Sequence, residues 1–341
     1  MDALRFGLLG AGYMGGSYAE CIVRYTTRAT LTAVAGGSRA PALAERYGVA
    51  CEPSYAALLA RPDVDAVLIA TPHDGHCEQV IAAARAGKHV LVEKPMATSV
   101  AECDAMIAAC REAGVVLEVI KTLRFRGSVA RALKLIADGA IGSVRMINGR
   151  SLFVSTETDG KHWADQPENG GLLLDMGCHN FDILSAFAGS RPRRIFSHVM
   201  TYDAPEHTRR NAMTQISYES GAVAQMWMSF ELPRPGIPDS LHRYIVVGER
   251  GILDIDGYGK LLIGRDDRWD LVWEQPPIDY INRPLDPERL EAFFLQVQAF
   301  VDDVLDGRPP TVSGEEGRAA VAQVEAAWES SRTGQAVELR F

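Results

Sequence analysis

The sequence predicts an α/β fold in two parts: a doubly wound, parallel-sheet domain over residues 1–121, and a second α/β domain over 122–341 with a large, mostly antiparallel sheet. Three observations predict it. The chain is 341 residues long, more than one typical core accommodates. Its first third alternates short apolar runs with helix-period stretches, the signature of βαβ units. After Lys121 the texture changes to long alternating runs, the signature of antiparallel strands.

In order, the first domain's strands are "RFGLLG", "LTAVAG", "DAVLIATP", "HVLVEKP" and "VVLEVI". Between them, "APALAERYG" and "CEQVIAAARAGK" carry apolar residues at helical spacing, and Gly48 and Gly87 stand where each helix should stop. A helix around "SVARALKLIADG" opens the second domain. It is followed by "SVRMINGRSLFV", "RRIFSHVMTY", "MTQISYESGAVAQMWMSFEL" and "HRYIVVGERGILDID", with "ESG" as a hairpin signal. "RPGIPDS" and the stretch 276–287 have the proline and glycine of surface connections. Two helical patterns, "ERLEAFFLQVQAFVDDVLDG" and "GEEGRAAVAQVEAAWESSRTG", close the chain, and the C-terminal helix is expected to pack back on the first domain.

Composition narrows the function classes. Hydrophobic residues make up 47% and charged residues 23%, which fits a globular protein. A net charge of -9 without a block of like charges argues against nucleic acid as partner. Cys21, Cys51, Cys77, Cys103, Cys110 and Cys178 show no C-x-x-C pair and no zinc spacing, so buried thiols in a reducing compartment are expected. The N-terminus lacks a signal-peptide pattern, and no apolar run reaches the roughly 20 residues needed to span a bilayer. The expectation is a cytoplasmic protein without nucleic-acid or membrane partners.

"LRFGLLGAGYMGGSYAE" carries the first chemical signal. A G-x-G-x-x-G match is weak alone, but here a strand leads in and a helix leads out. Gly10 then makes the tight turn, Gly12 lets backbone approach a pyrophosphate, and Gly15 allows close helix–strand packing, with Tyr13 and Met14 on the same turn. The helix N-terminus supplies free N–H groups and partial positive charge to the phosphates. An acid some 20 residues on would hold the ribose 2′-hydroxyl of NAD. From Cys21 to Ala44 there is none, and the second strand ends in "GGSRA" with Ser38 and Arg39. A guanidinium matches a phosphate, which favours NADP; an Arg39 that only stacks on adenine would leave NAD usable.

"HVLVEKP" places Glu93 and Lys94 at the carboxyl end of a strand, where open α/β sheets bind ligands. The proline after Lys94 fixes its direction, and X-Pro bonds are open to the cis form. In "GGLLLDMGCHNFDILSAFAG", Asp175, His179 and Asp182 fall at i, i+4 and i+7 of one helix face. Histidine exchanges protons near neutrality, and a carboxylate beside it orients it. A histidine satisfied in a buried network is the plainer alternative. Asp175 and His179 have no third ligand at suitable spacing, so no metal is expected. Cys178, between them, is expected to pack beneath the helix.

Together "GLLGAGYMG", "ATPHDGHCEQVIAAARAGKHVLVEKP", "GGLLLDMGCHNFD" and "SGEEGRAAVAQVEAAWESSRTGQAVEL" resemble the Gfo/Idh/MocA oxidoreductases over nearly the whole chain. The resemblance implies a Rossmann domain followed by an α/β domain whose sheet serves as an oligomer interface, giving a homodimer or homotetramer. By motif, Lys94 matches the catalytic lysine of E-K-P, and Asp175 and His179 match the substrate-domain pair. Thr71, Pro72, His73 and His76 match the cofactor-lining T-P-x-x-x-H segment, with Glu93 beside it. Arg124 in "KTLRFRG" and Trp163 match substrate-cleft positions. The departure at "GGSRA" sets this chain apart from members with an acidic second strand.

The implied chemistry needs an alcohol carbon at the nicotinamide, a group that takes the hydroxyl proton, and donors to the developing oxyanion. His179 is assigned the proton, Lys94 a hydrogen bond to the same oxygen, and Asp175 the orientation of substrate or relay. The reverse allocation between Lys94 and His179 stays open. Arg124, Lys161, His162 and Asn169 suit a polyhydroxylated substrate such as a sugar, aminosugar or inositol. Two rival activities stay open as well: a glycosidase that oxidises its sugar transiently with a held nicotinamide, and a sugar sensor that binds dinucleotide without turnover.

Overall fold

The computed structural model describes residues 2–154, 166, 169–203, 205–237, 241–279 and 282–340. Lys161, His162 and Trp163 lie outside the described residues. In chain order the elements of the first 122 residues are β1 (Leu4–Leu9), α1 (Tyr13–Glu20), β2 (Ala29–Ala35), α2 (Ala40–Tyr47), β3 (Ala50–Glu52), α3 (Tyr55–Leu59), β4 (Ala66–Ile69), α4 (His76–Arg85), β5 (His89–Val92), α5 (Val100–Ala113) and β6 (Leu117–Val119). There follow α6 (Gly127–Ala137), β7 (Val144–Val154), α7 (Gly171–Ala188), β8 (Pro192–Met200), β9 (Asn211–Tyr218), β10 (Val223–Leu232), β11 (Arg243–Gly248), β12 (Ile252–Asp256), β13 (Lys260–Arg265) and β14 (Arg268–Glu274). The chain closes with α8 (Pro287–Asp306), α9 (Gly314–Thr333) and β15 (Val337–Glu338).

Two compact units result, one of Met1–Thr122 with Pro277–Arg318, the other of Leu123–Pro276 with Ala319–Phe341. Pro277–Arg318, within the span that the sequence assigns to the second domain, thus folds with the first unit.

The first unit is a six-stranded parallel sheet in the order β3-β2-β1-β4-β5-β6. β4 is apolar and buried along its whole length, and β5 from Val90 to Val92, as strands covered on both faces must be. The strand order reverses between β1 and β4, and the crevice at their carboxyl ends is where such sheets take ligands. α8 covers one face: Leu290, Phe293, Val297, Phe300 and Val301 recur at helical spacing and pack on Leu4, Phe6 and Leu8 of β1. Phe6 and Phe300 meet with ring centroids 5.9 Å apart. β3 has only three residues, too few for a periodic signal in the sequence.

The second unit is a nine-stranded sheet, β14-β13-β12-β11-β7-β10-β9-β8-β15. The β7–β10 pair is parallel and the other pairs are antiparallel, including the β9–β10 hairpin expected at "ESG". α7 lies on one face, where the Tyr244 hydroxyl donates to Asn180 Oδ1 (3.1 Å) and Phe187 meets Tyr244 edge-on. β13 and β14 were not marked from the sequence. Lys260 and Arg265 bound a short apolar run in β13, Asp270 interrupts that of β14, and β14 is an edge strand with little buried side.

Candidate active site

The glycine turn is closed by contact. Gly10 has φ +99, and a Cβ there would lie 2.3 Å from Ala70 O at the end of β4. On Gly15 it would lie 1.9 Å from Gly10 O, so the turn and α1 approach as only glycine permits. At Gly12 the nearest atom to a Cβ would be Arg39 Nη2, at 3.6 Å. Gly12 caps α1 without a side-chain bond, and the first turn holds no acid, which leaves its N–H groups and partial positive charge for an anion. Residues of this kind fit a dinucleotide's pyrophosphate. Ser38 and Arg39 are exposed just past β2, and among the described residues Arg39 has no ion pair.

The loops after β4 and β5 are tied together. His76 is fully buried, with Nδ1 2.9 Å from Pro95 O and Nε2 3.0 Å from Thr71 O. Burial pulls its pKa below the ordinary imidazole value while the Pro95 and Thr71 carbonyls oppose that shift, and the ring sits between the two loops with a nitrogen facing each. Thr71 donates its hydroxyl to Gln79 Oε1 (2.6 Å), Pro72 is exposed beside it, and buried His73 stands 5.9 Å from His76 ring to ring. Glu93 is buried: one carboxylate oxygen accepts from the Tyr18 hydroxyl (2.6 Å), the other from Lys94 N (2.8 Å). Burial, then the Glu93 charge, pushes the Tyr18 phenol well above its usual range, which keeps it a donor. Lys94 is half-buried and its bond to Pro95 is cis.

In the second unit α7 carries Asp175, His179 and Asp182 on one face, as their spacing requires. Asp182 is engaged by Arg124, whose Nε donates to Oδ2 (2.8 Å) and Nη2 to Oδ1 (2.7 Å). This bidentate pair anchors the turn after β6 to α7. Asp175 and His179 are half-buried; Cys178 between them is buried, its Sγ 3.3 Å from Asp175 O. Asn169 is buried just before α7. Among the described residues no His, Cys, Asp and Glu group has the makings of a metal site.

Four residues escaped sequence reasoning. Tyr18 and Gln79 are single polar groups in helices, and Arg289 reaches α1 from α8, far along the chain. Lys121 is buried two residues past Val119, which pairs with Val92 at the carboxyl end of the sheet, two residues before Lys94. Only strand register reveals that placement.

Two sequence profiles match the chain: "Oxidoreductase family, NAD-binding Rossmann fold" over residues 4–121 and "Oxidoreductase family, C-terminal alpha/beta domain" over 133–339. The chain belongs to the Gfo/Idh/MocA oxidoreductase family. It is similar to D-xylose 1-dehydrogenase (NADP(+)) 2 of Haloferax volcanii, 29% identical over 98% of this chain and all of that protein. Myo-inositol 2-dehydrogenase of Thermotoga maritima is 26% identical over 98% of each. Among solved structures, the aldose-aldose oxidoreductase of Caulobacter crescentus, complexed with glycerol, superposes with a TM-score of 0.84, at 27% identity over 99% of this chain and 100% of that one. This Gfo/Idh/MocA protein therefore carries an NAD(P)-binding Rossmann domain and a C-terminal α/β domain, and its relatives include dehydrogenases of sugars and inositols.

Proposed function

We propose that this oxidoreductase transfers a hydride between a nicotinamide dinucleotide, NADP in preference to NAD, and a secondary alcohol or ketone of a sugar, aminosugar or inositol. The observation that carries the reading is the glycine cradle with Arg39 over Gly12 and no acid at the end of β2. A guanidinium there recognises a 2′-phosphate where an acid would have repelled it. When bound, the dinucleotide supplies the hydride donor or acceptor at its nicotinamide ring.

The protein's own groups do the rest. Gly10, Gly12, Tyr13, Met14 and Gly15 form the pyrophosphate turn, and Thr71, Pro72 and His73 line the cofactor, with His76 and Glu93 bracing that lining. Lys94 donates a hydrogen bond to the substrate's reacting oxygen, and its cationic form stabilises charge developing there. His179 takes or returns the hydroxyl proton at that oxygen, and Asp175 orients the hydroxyls beside it. Arg124 and Trp163 bind the substrate away from the reacting carbon.

The sheet face opposite α7 supports a homodimer or homotetramer. Trp227 pairs across the strands with Met213, and Val223 with Met146; all four are exposed, with Phe196 nearby on β8. Apolar surface of this kind is unfavourable in water and is relieved when a second copy covers it. Light scattering at the monomer mass would contradict this. Six free thiols suit a reducing cytoplasm as the working compartment; no helix among the described residues is long and apolar enough to cross a membrane.

The test is near-ultraviolet absorbance of reduced nicotinamide while the protein meets a panel of sugars, aminosugars and inositols with NADP or NAD. Faster growth with NADP on at least one substrate is expected. A flat trace with every substrate and both cofactors would contradict the reading.

A further inference from the structure

We propose that Arg289 is a cofactor-positioning residue: α8 lends its guanidinium to the start of α1, where it fixes the Tyr13 ring beside the pyrophosphate turn. The proposal rests on the dinucleotide reading above. Arginine is rarely enclosed, yet Arg289 is 2% exposed. Its Nη1 donates to Ser17 Oγ (3.0 Å) and to Pro284 O (2.5 Å). Its Cζ lies 4.7 Å from the centroid of the Tyr13 ring and 5.3 Å from that of Phe293. Ser17 in turn donates its hydroxyl to Tyr13 O (3.1 Å). Arg289 therefore grips α1 twice, at the first residue's ring and one turn later.

The other partner in this arrangement is exposure. Tyr13 is 56% exposed, a large aromatic ring at the first position of α1, directly after Gly12. One side of the ring carries the guanidinium. An aromatic ring left free at a glycine turn would sample several rotamers, at a cost to any ligand that needs one of them. Stacking under a buried cation removes that freedom before the ligand arrives. Burying a guanidinium is unfavourable, a cost that α8 packing on β1 alone would not require, since the apolar residues of α8 already supply that contact. Phe293 extends the same support inward, meeting Tyr18 edge-on at 5.8 Å, and Tyr18 holds Glu93. α8 thus reaches both the phosphate turn and, through Tyr18, the loop of Lys94.

The experiment is a double-mutant cycle on the full chain, reading the dissociation constant of NADPH by its fluorescence, with thermal melting recorded for each variant. Arg289→Met should weaken NADPH about tenfold, and Arg289→Lys, which keeps the charge over the Tyr13 ring but ends one atom short of the guanidinium nitrogens, should recover part of the loss. In a Tyr13→Ala background, Arg289→Met should shift the constant less than twofold, because its partner is already gone. A merely structural role would lower the melting temperature in both backgrounds and weaken NADPH equally in both, and that additivity would overturn the proposal. Wild-type affinity in Arg289→Met would overturn it too, leaving the dinucleotide reading intact. A wild-type protein that binds neither NADPH nor NADH would overturn the reading, and the proposal with it.

Discussion

The Tyr18 hydroxyl donates a 2.6 Å hydrogen bond to Glu93, and Glu93 accepts from Lys94 N with its other oxygen. The helix that follows the glycine turn is thereby joined to the loop carrying the proposed catalytic lysine. Tyr18→Phe deletes this donor and leaves a buried carboxylate with one partner fewer, a loss of about 1.5–3 kcal/mol for a bond to a charged group. Calorimetry should show a lower melting temperature, and steady-state kinetics a severalfold lower kcat. Unchanged values of both would mean that the bond neither supports the loop nor positions Lys94.

Cofactor preference gives a second outcome. Arg39 is exposed, without an ion pair among the described residues, and its Nη2 is the atom nearest to where a Gly12 Cβ would stand. Arg39→Ala should lower kcat/KM for NADP about tenfold and leave that for NAD within about twofold, the loss of one charge-assisted phosphate contact. An equal fall for both cofactors would assign Arg39 to adenine stacking.

A pH effect on stability follows from Glu118. Burial first, and then a hydrogen bond with the Asp303 carboxyl, pushes its pKa up from the ordinary 4.5 to about 8. Thr311 N joins the pair, 3.3 Å from Glu118 Oε1 and 2.7 Å from Asp303 Oδ2. Between those two pH values the folded chain holds a proton that the unfolded chain releases, so this contribution is complete below about 4.5 and lost as pH rises through about 8. Melting temperature should fall across that window in the wild type. Glu118→Gln, which keeps a neutral donor in place, should flatten the fall. Parallel curves for the two proteins would remove Glu118 as its cause.

What the sequence made legible was periodic or stereochemically forced. The buried strands of the first sheet read as apolar runs, and "ESG" read as a hairpin. Gly10 and Gly15 were readable because their positions admit no side chain. Asp175, His179 and Asp182 share a face because helical spacing dictates it. Contacts between distant segments were hidden: α8 follows the second sheet in the chain but packs on β1, and no local pattern tells Arg289 to seek Tyr13. Asp182, read as part of a polar stripe, turned out to hold Arg124, because side-chain pairing depends on where the turn after β6 meets α7. Lys121 stayed unmarked because the strand register that brings the ends of β5 and β6 together is a property of the sheet.

The most direct measurement compares wild type with Lys94→Ala, reading turnover with NADP and the best sugar, aminosugar or inositol, and NADPH affinity in the same preparations. The account predicts turnover in the wild type, well over tenfold less in Lys94→Ala, and affinities that agree within about twofold, the pattern of a group that acts on the reacting oxygen without holding the cofactor. Equal turnover in the two proteins would contradict it.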